Sequence, residues 1–236
     1  MLKIGNLTVV YPDGTKAINN LTCHIGKSEN VALIGANGAG KTSLLLTLVG
    51  VLKASTGTIQ LDGIELNEKT VNDIRRRTGL VFQNPDDQLF MPQIYEDIAF
   101  GPRNFGLPED KVKEKVETVL SQLHIEHLQH RSPIKLSGGE KRTAAIATVL
   151  AMDPALMLFD EPTAFLDPKS RRNLISLLKQ LPVTKLIATH DLAFAAEVCD
   201  RAVLLKKGAF FADGKSKELL YDKKLMEDCD VEAIIL

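Results

Sequence analysis

The alternation of apolar and polar positions divides the chain into three stretches. In the first third, short apolar runs at 2–10, 17–25, 31–34 and 58–61 predict β-strands. Turn residues Pro12-Asp13-Gly14 and Asp62-Gly63 punctuate them. Residues 84–107 are rich in Pro and Gly and interrupt this rhythm. An amphipathic helix follows, opened by Pro108-Glu109-Asp110, with Val112, Val116, Val119, Leu120 and Leu123 at helical spacing. Strand and helix then alternate, with helices predicted over 141–152 and 168–181 and strands over 156–159 and 185–189. Short strands separated by helices predict a mainly parallel sheet covered on both faces. No internal repeat or low-complexity linker breaks the chain, so residues 1–236 read as a single domain with a helical insert near 84–152. The last fifteen residues are charged and then apolar, and could dock on the domain or on a partner.

Composition narrows the functional classes. The chain has 236 residues, 44% hydrophobic and 25% charged, the balance of a soluble globular protein. A net charge of −1 offers no basic excess for nucleic acid. The one dense basic cluster, Arg75-Arg76-Arg77, reads as a solvated helix face. Cys23, Cys199 and Cys229 are far apart and lack C-x-x-C pairing, which suits a reducing compartment and gives no metal site. The N-terminus is not a signal peptide, and no apolar stretch approaches the ~20 residues of a membrane-spanning helix. Direct membrane insertion is therefore not expected, and any membrane role runs through a partner.

The strongest chemical signal is Gly35-Ala36-Asn37-Gly38-Ala39-Gly40-Lys41-Thr42, a complete G-x-x-x-x-G-K-[ST] followed by Ser43. A strand-like run at 30–34 precedes it and a helix-like run at 43–49 follows, the context the motif requires. The glycines turn backbone N–H groups around a phosphate at the positive end of the helix. Lys41 is placed for the β- and γ-phosphates and the Thr42 hydroxyl for Mg²⁺. About a hundred residues on, Ser137 reads as the N-cap of a helix whose first turn carries Gly138, Gly139 and Glu140, a second anion-binding N-terminus. Taken alone, this is also what a plain helix cap looks like. Strand 156–159 then delivers Asp160 and Glu161, adjacent carboxylates that are costly at a buried strand tip unless they meet a cation or proton. Asp160 is placed to hold Mg²⁺ through water and Glu161 to polarise an attacking water. Gln83, ending the run at 79–82, could complete the metal shell, and His190, ending the strand at 185–189, could bond the γ-phosphate. All these tips lie at carboxyl ends of strands, where ligands of open α/β sheets sit.

In this order the motifs resemble the ATP-binding cassette family, over nearly the whole chain. The resemblance implies a P-loop NTPase core with a mainly parallel sheet, an N-terminal antiparallel β subdomain and a helical insert subdomain. Gly35 to Thr42 is similar to the Walker A loop, Gln83 to the Q-loop residue and Leu136 to Glu140 to the family signature. Met157 to Asp160 with Glu161 resembles the Walker B strand and catalytic base, Leu166-Asp167 the D-loop, and His190 the switch histidine. Tyr11 sits where the family places an aromatic that stacks on adenine; a tyrosine packing on its own domain is the alternative. The resemblance further implies ATP and Mg²⁺ as cofactors and a head-to-tail dimer that traps two ATP. Ser137 and Gly139 then touch the nucleotide held by Lys41 of the opposite subunit.

The stretch from Gln83-Asn84-Pro85-Asp86-Asp87 to Phe100-Gly101-Pro102 resembles the ATPases of energy-coupling factor importers, which take up cobalt, nickel or vitamins. In those, residues corresponding to 84–102 receive a membrane scaffold protein, which places the ATPase peripherally on the cytoplasmic face of the membrane. Asp86-Asp87 alone would also suit a solvated turn. Glu140 stands where Gln is commoner, Thr143-Ala144 where a basic residue and Val are usual, and Phe165 where the D-loop has small residues. The bulk of Phe165 makes a heterodimer with a paralogous ATPase as open as a homodimer. His124, His127 and His130 fall at spacings of three on an expected helix, where three rings do not converge on one metal. Competing functions are a soluble cassette ATPase of cofactor assembly or repair, and an ATP-gated clamp with little turnover, against which Glu161 argues.

Overall fold

A computed structural model describes residues 1–234. The N-terminal strands β1 (Leu2–Val10) and β2 (Lys16–Ile25) pair antiparallel. After β3 (Asn30–Ile34) and α1 (Lys41–Leu48) come β4 (Thr56–Leu61) and β5 (Ile64–Glu65), which join them as a four-stranded sheet in the order β2-β1-β4-β5. Helix α2 (Val71–Arg77) leads into β6 (Thr78–Val81). Helices α3 (Ile94–Asn104), α4 (Glu109–Gln122) and α5 (Gly138–Leu150) make the helical insert. Then β7 (Leu156–Asp160), α6 (Pro168–Gln180), β8 (Thr184–Ala188), α7 (Leu192–Val198) and β9 (Arg201–Lys206) restore the alternation. Strand β10 (Ala209–Lys215) and helices α8 (Ser216–Leu220) and α9 (Lys223–Asp228) close the chain.

The second sheet has six strands in the order β10-β9-β3-β8-β7-β6. Strands β9, β3, β8, β7 and β6 run parallel, and β10 adds an antiparallel edge. This sheet is apolar on both faces because helices or the first sheet cover each side. The two-residue period of the strands sorts their side chains into two cores. Ala32, Ile34, Met157, Phe159 and Ile187 pack with the insert and C-terminal helices. Val31, Leu33, Leu156, Leu158 and Leu186 pack with α1 and the N-terminal sheet. The observed architecture matches the α/β class expected, antiparallel N-terminal sheet included.

Several boundaries differ from the sequence reading. Strand β6 stops at Val81, so Gln83 lies two residues beyond the sheet instead of ending a strand. Helix α5 starts at Gly138, directly on its cap Ser137, three residues before the expected start at 141. The Pro- and Gly-rich stretch contains the eleven-residue helix α3, with Pro102 accommodated in its last turn. The three histidines do not share a helix: His124 follows α4 with φ 55° and His127 lies in the separate turn Glu126–Leu128.

The arginine cluster is engaged by the domain itself. Arg75 donates to the carbonyls of Val49 and Gly50 after α1, and Arg76 lies over the Phe105 ring at 4.7 Å. The C-terminal segment also packs on its own domain: Val231, Ala233 and Ile234 lie against the core, and the Ile234 N–H donates to Leu220. The last two residues of that segment lie outside the described residues. No helix among the described residues is long and apolar enough to cross a membrane.

Candidate nucleotide site

The loop after β3 is shaped by its glycines. Gly40 has φ 98°, and a Cβ there would meet the Ala17 carbonyl at 2.3 Å, so only glycine serves. Gly40 is also the N-cap of α1, and with no side chain to cap them the first-turn N–H groups face outward. Lys41 Nζ donates to the Gly35 carbonyl at 2.8 Å and lies 3.8 Å from Glu161 Oε1. The Thr42 hydroxyl donates to Asp160 Oδ2 at 2.8 Å, joining α1 to the end of β7.

A cavity of about 490 Å³ opens over this loop. Asn37, Gly38, Ala39, Gly40, Lys41, Thr42 and Ser43 line it together with Tyr11, Gln83, Glu161 and His190. Sequence positions as far apart as 11 and 190 thus converge because β1, β6, β7 and β8 all end on this side. The Tyr11 hydroxyl is 2.9 Å from Ser43 Oγ, which fixes the ring beside the start of α1. Thr15, Lys16 and Ala17 complete the wall and carry no motif that would have marked them in the sequence. Gly35 and Ala36 sit below the cavity, where their carbonyls accept from Lys41.

Asp160 and Glu161 are both only 7% exposed, deep for two adjacent acids. Asp160 has its carboxyl pushed up by burial, with Glu161 adding to the rise and Thr42 and Lys41 opposing it. Its Oδ1 is buried without any hydrogen-bond partner among the described residues. An unpaired carboxylate oxygen next to a threonine hydroxyl is a hard oxygen donor set, which fits a divalent cation such as Mg²⁺. Glu161 adopts φ 42°, unusual for a residue with a side chain, and its N–H is tied to the Ala188 carbonyl at 2.8 Å. Its Oε2 accepts from the His190 N–H at 3.1 Å and lies 2.9 Å from His190 Nδ1.

His190 is itself held by a pairing that sequence reasoning missed. Arg171 on α6 makes a bidentate contact with the neighbouring Asp191, at 2.8 and 3.0 Å. Burial raises the Asp191 carboxyl, but the Arg171 guanidinium and the Phe194 N–H more than offset it and hold it below the usual range. Asp191 also caps α7. The only sequence signal was the cap pattern at Asp191; Arg171 is twenty residues away on another helix.

The expected signature residues stand apart from this cavity. Ser137, Gly138, Gly139 and Glu140 open α5, and none of them lines the nucleotide cavity of its own chain. Ser137 and Glu140 form a capping box: Ser137 Oγ accepts from the Glu140 N–H, and Glu140 Oε2 accepts from the Ser137 N–H and hydroxyl. These Ser137 donors hold the Glu140 carboxyl below its usual range, helped by Arg131 at 3.7 Å and by His127. The substitution of Glu for Gln is therefore absorbed by the helix cap. Gly139 is required by packing, since a Cβ there would meet Ser170 Oγ at 2.4 Å. Asp167 caps α6 through the N–H groups of Lys169 and Ser170, while Phe165 before it projects into solvent, 85% exposed, with φ 63°.

Comparison with known proteins places this geometry. The family model described as ABC transporter matches residues 18–164. The energy-coupling factor transporter ATP-binding protein EcfA of Methanothermobacter thermautotrophicus is 41% identical, over 96% of this chain and 74% of that protein. Among solved structures, cbiO1 from Clostridium perfringens, part of the ABC transporter complex cbiONQ, superposes with a TM-score of 0.86. It is 37% identical over 96% of this chain and 93% of its own. The dimeric ATP-binding cassette MJ0796 bound to ADP and Pi superposes at 0.80, with 28% identity over 92% of this chain and 99% of that one.

Proposed function

The chain belongs to the ABC transporter family, as an ATPase coupled to transport, and we propose that it is the motor subunit of an energy-coupling factor importer. The importer reading is carried by one observation. Residues 84–102 present an aromatic surface to solvent, with Phe90 61% exposed and in edge-to-face contact with Phe100, ring centroids 5.0 Å apart. The two rings form a contiguous exposed apolar feature of this stretch, which suits an interaction surface. The family's ATPases act as dimers with membrane components, and in EcfA-like relatives this stretch is where a scaffold protein would seat. On this reading the protein sits peripherally on the cytoplasmic face of the membrane, and the described elements form one nucleotide-binding domain with the insert at 84–152.

Within the site each residue takes a role that its position supports. Tyr11 stacks on the adenine, and the N–H groups of residues 37–43 with Lys41 cradle the phosphates. Thr42, Asp160 and Gln83 would hold Mg²⁺, which when bound neutralises charge on the β- and γ-phosphates. Glu161 takes a proton from the attacking water, and His190, oriented by its contact with Glu161, bonds the γ-phosphate. Ser137, Gly138 and Gly139 complete the opposite site in a head-to-tail pair, formed by a second copy or a paralogue. The cargo (cobalt, nickel or a vitamin) is selected by a separate membrane protein.

The test is purification of the tagged chain from its native cells in mild detergent, with co-purifying proteins identified by mass spectrometry. A multi-span scaffold together with a small membrane binding protein is the expected result. A soluble dimer with no membrane protein would overturn the importer reading in favour of an assembly or repair ATPase, leaving the nucleotide chemistry intact.

A further inference from the structure

One face of α5 grips the segment that follows β6. Arg142 donates Nη1 to the Phe82 carbonyl and Nη2 to the Gln83 carbonyl, both at 2.6 Å. Gln88 Oε1 accepts from the Phe82 N–H at 3.1 Å, while its Nε2 donates to the Ala145 carbonyl and Thr148 Oγ1, each at 2.8 Å. Lys141 reaches Asp86 at 2.6 Å. Positions 141, 142, 145 and 148 follow helical spacing, so a single face of α5 makes all these contacts.

Arg142 is the unusual member. It is 1% exposed, and no acidic side chain among the described residues pairs with it. Burial alone pulls its guanidinium down to about 10, and its Nε has no partner among the described residues. A buried charge without a counter-charge is costly. Here its directed bonds go to two consecutive backbone carbonyls and fix the peptide on which Gln83 is mounted. Because β6 ends at Val81, the grip begins one residue past the sheet. The 82–88 segment is thus fastened to the helix that Ser137 caps, and its freedom relative to the sheet is concentrated at the Val81–Phe82 junction.

We propose that Arg142 is a positioning residue for ATP hydrolysis, setting the Gln83 amide against the nucleotide and making it move with the signature helix. The inference rests on the roles given above to Gln83 and Ser137. It explains how engagement of one subunit's signature with the opposite nucleotide is felt at its own Gln83: the two are ends of one rigid unit. It also makes Arg142, which does not line the nucleotide cavity, part of the timing of hydrolysis.

A double-mutant cycle tests this, with ATP turnover and binding of a fluorescent ATP analogue as readouts. Arg142→Met in the otherwise native chain should lower kcat by about tenfold while changing KM and analogue affinity by less than about threefold. In a Gln83→Ala background the same change should cost less than about twofold, because the residue it positions is gone. Equal losses in both backgrounds, or an unchanged kcat in the native one, overturn the proposal. A Gln83→Ala chain with wild-type kcat sinks the site reading itself, whereas a slow Gln83→Ala beside an unaffected Arg142→Met sinks only the inference. Should Arg142→Met fail to fold, Arg142→Lys and Gln88→Leu carry the cycle: each should lower kcat only where Gln83 is present, and full turnover in both overturns the idea.

Discussion

Glu161 combines three constraints in one residue: left-handed backbone, near-complete burial and contact with both Lys41 and His190. Such backbone strain costs on the order of 1–3 kcal/mol, and it persists only where the surroundings impose it. Here the Ala188 carbonyl holds the N–H and the His190 N–H holds the carboxylate, aiming it into the cavity. Glu161→Gln keeps the shape and removes the base. Turnover should fall by roughly 10²–10⁴-fold, with ATP affinity retained and an ATP-dependent dimer visible by size-exclusion chromatography; turnover at the wild-type rate would remove Glu161 from the chemistry. At this scale the sequence was informative wherever a role is carried by neighbouring residues. The loop from Gly35 to Thr42, the Asp160-Glu161 tip and His190 can all be picked out; residues 37–42, Glu161 and His190 line the candidate cavity, and Asp160 is bonded to Thr42 beside it. Arg171–Asp191, Arg142 and the Thr15 to Ala17 wall could not, because each depends on partners twenty or more residues away that no local pattern announces.

Among the elements, α5 shows how a short motif sets a helix. Ser137 supplies the cap and Glu140 returns the bond, so the two glycines between them, poor helix formers, enter a first turn that is already closed. Ser137→Ala opens that box. The melting temperature should drop by a few degrees for a cost of ~1 kcal/mol, and ATP turnover should fall while binding to the isolated subunit stays unchanged. If turnover survives at full rate after the cap is lost, Ser137 is a helix cap and nothing more. The strands of the parallel sheet were legible because each is a short apolar run, and α4 because its buried valines recur at helical spacing. Helix α3 is masked in the sequence because Gly101 and Pro102 sit inside it, and the exposed Phe90 and Phe100 fall outside any core pattern. Gln83 was placed on a strand for the opposite reason. The apolar run continues through Phe82, but the backbone leaves the sheet at Val81, where Arg142 takes over its carbonyls.

For the whole molecule, the parallel pairing of β3 with β8 is one of the seams that join the two halves of the chain, and a buried cation sits on it. Lys185, 1% exposed, donates to Asn30 Oδ1 and to the Leu181 and Val183 carbonyls, with no acid among the described residues to pair with. Burial pulls its ammonium down to about 8 from an ordinary 10.5. Between those values the unfolded chain binds a proton that the native chain does not, so this group's penalty is complete below pH 8 and shrinks as pH rises. Buried thiols act in the other direction: Cys23 and Cys199 are pushed up to about 11 and about 12, and lose stability for the fold above the ordinary thiol value of 9.0. The lysine is therefore read as the difference between wild type and Lys185→Met in denaturant unfolding. From about pH 7.5 to about pH 9.5 wild type should gain about 2 kcal/mol on the variant, and a flat difference would mean that Lys185 stays charged in the native state. The outer surface poses a separate question, one of partnership instead of folding. Phe90 meets Phe100 edge to face and is mostly in water, so Phe90→Asp should change stability by no more than about 0.5 kcal/mol and leave basal ATP turnover intact. A carboxylate in the middle of an aromatic docking surface, however, must be desolvated without a partner when a membrane subunit covers it. The variant should therefore lose its membrane proteins in the detergent co-purification while wild type keeps them; retention of the same proteins would move the docking surface away from residues 84–102.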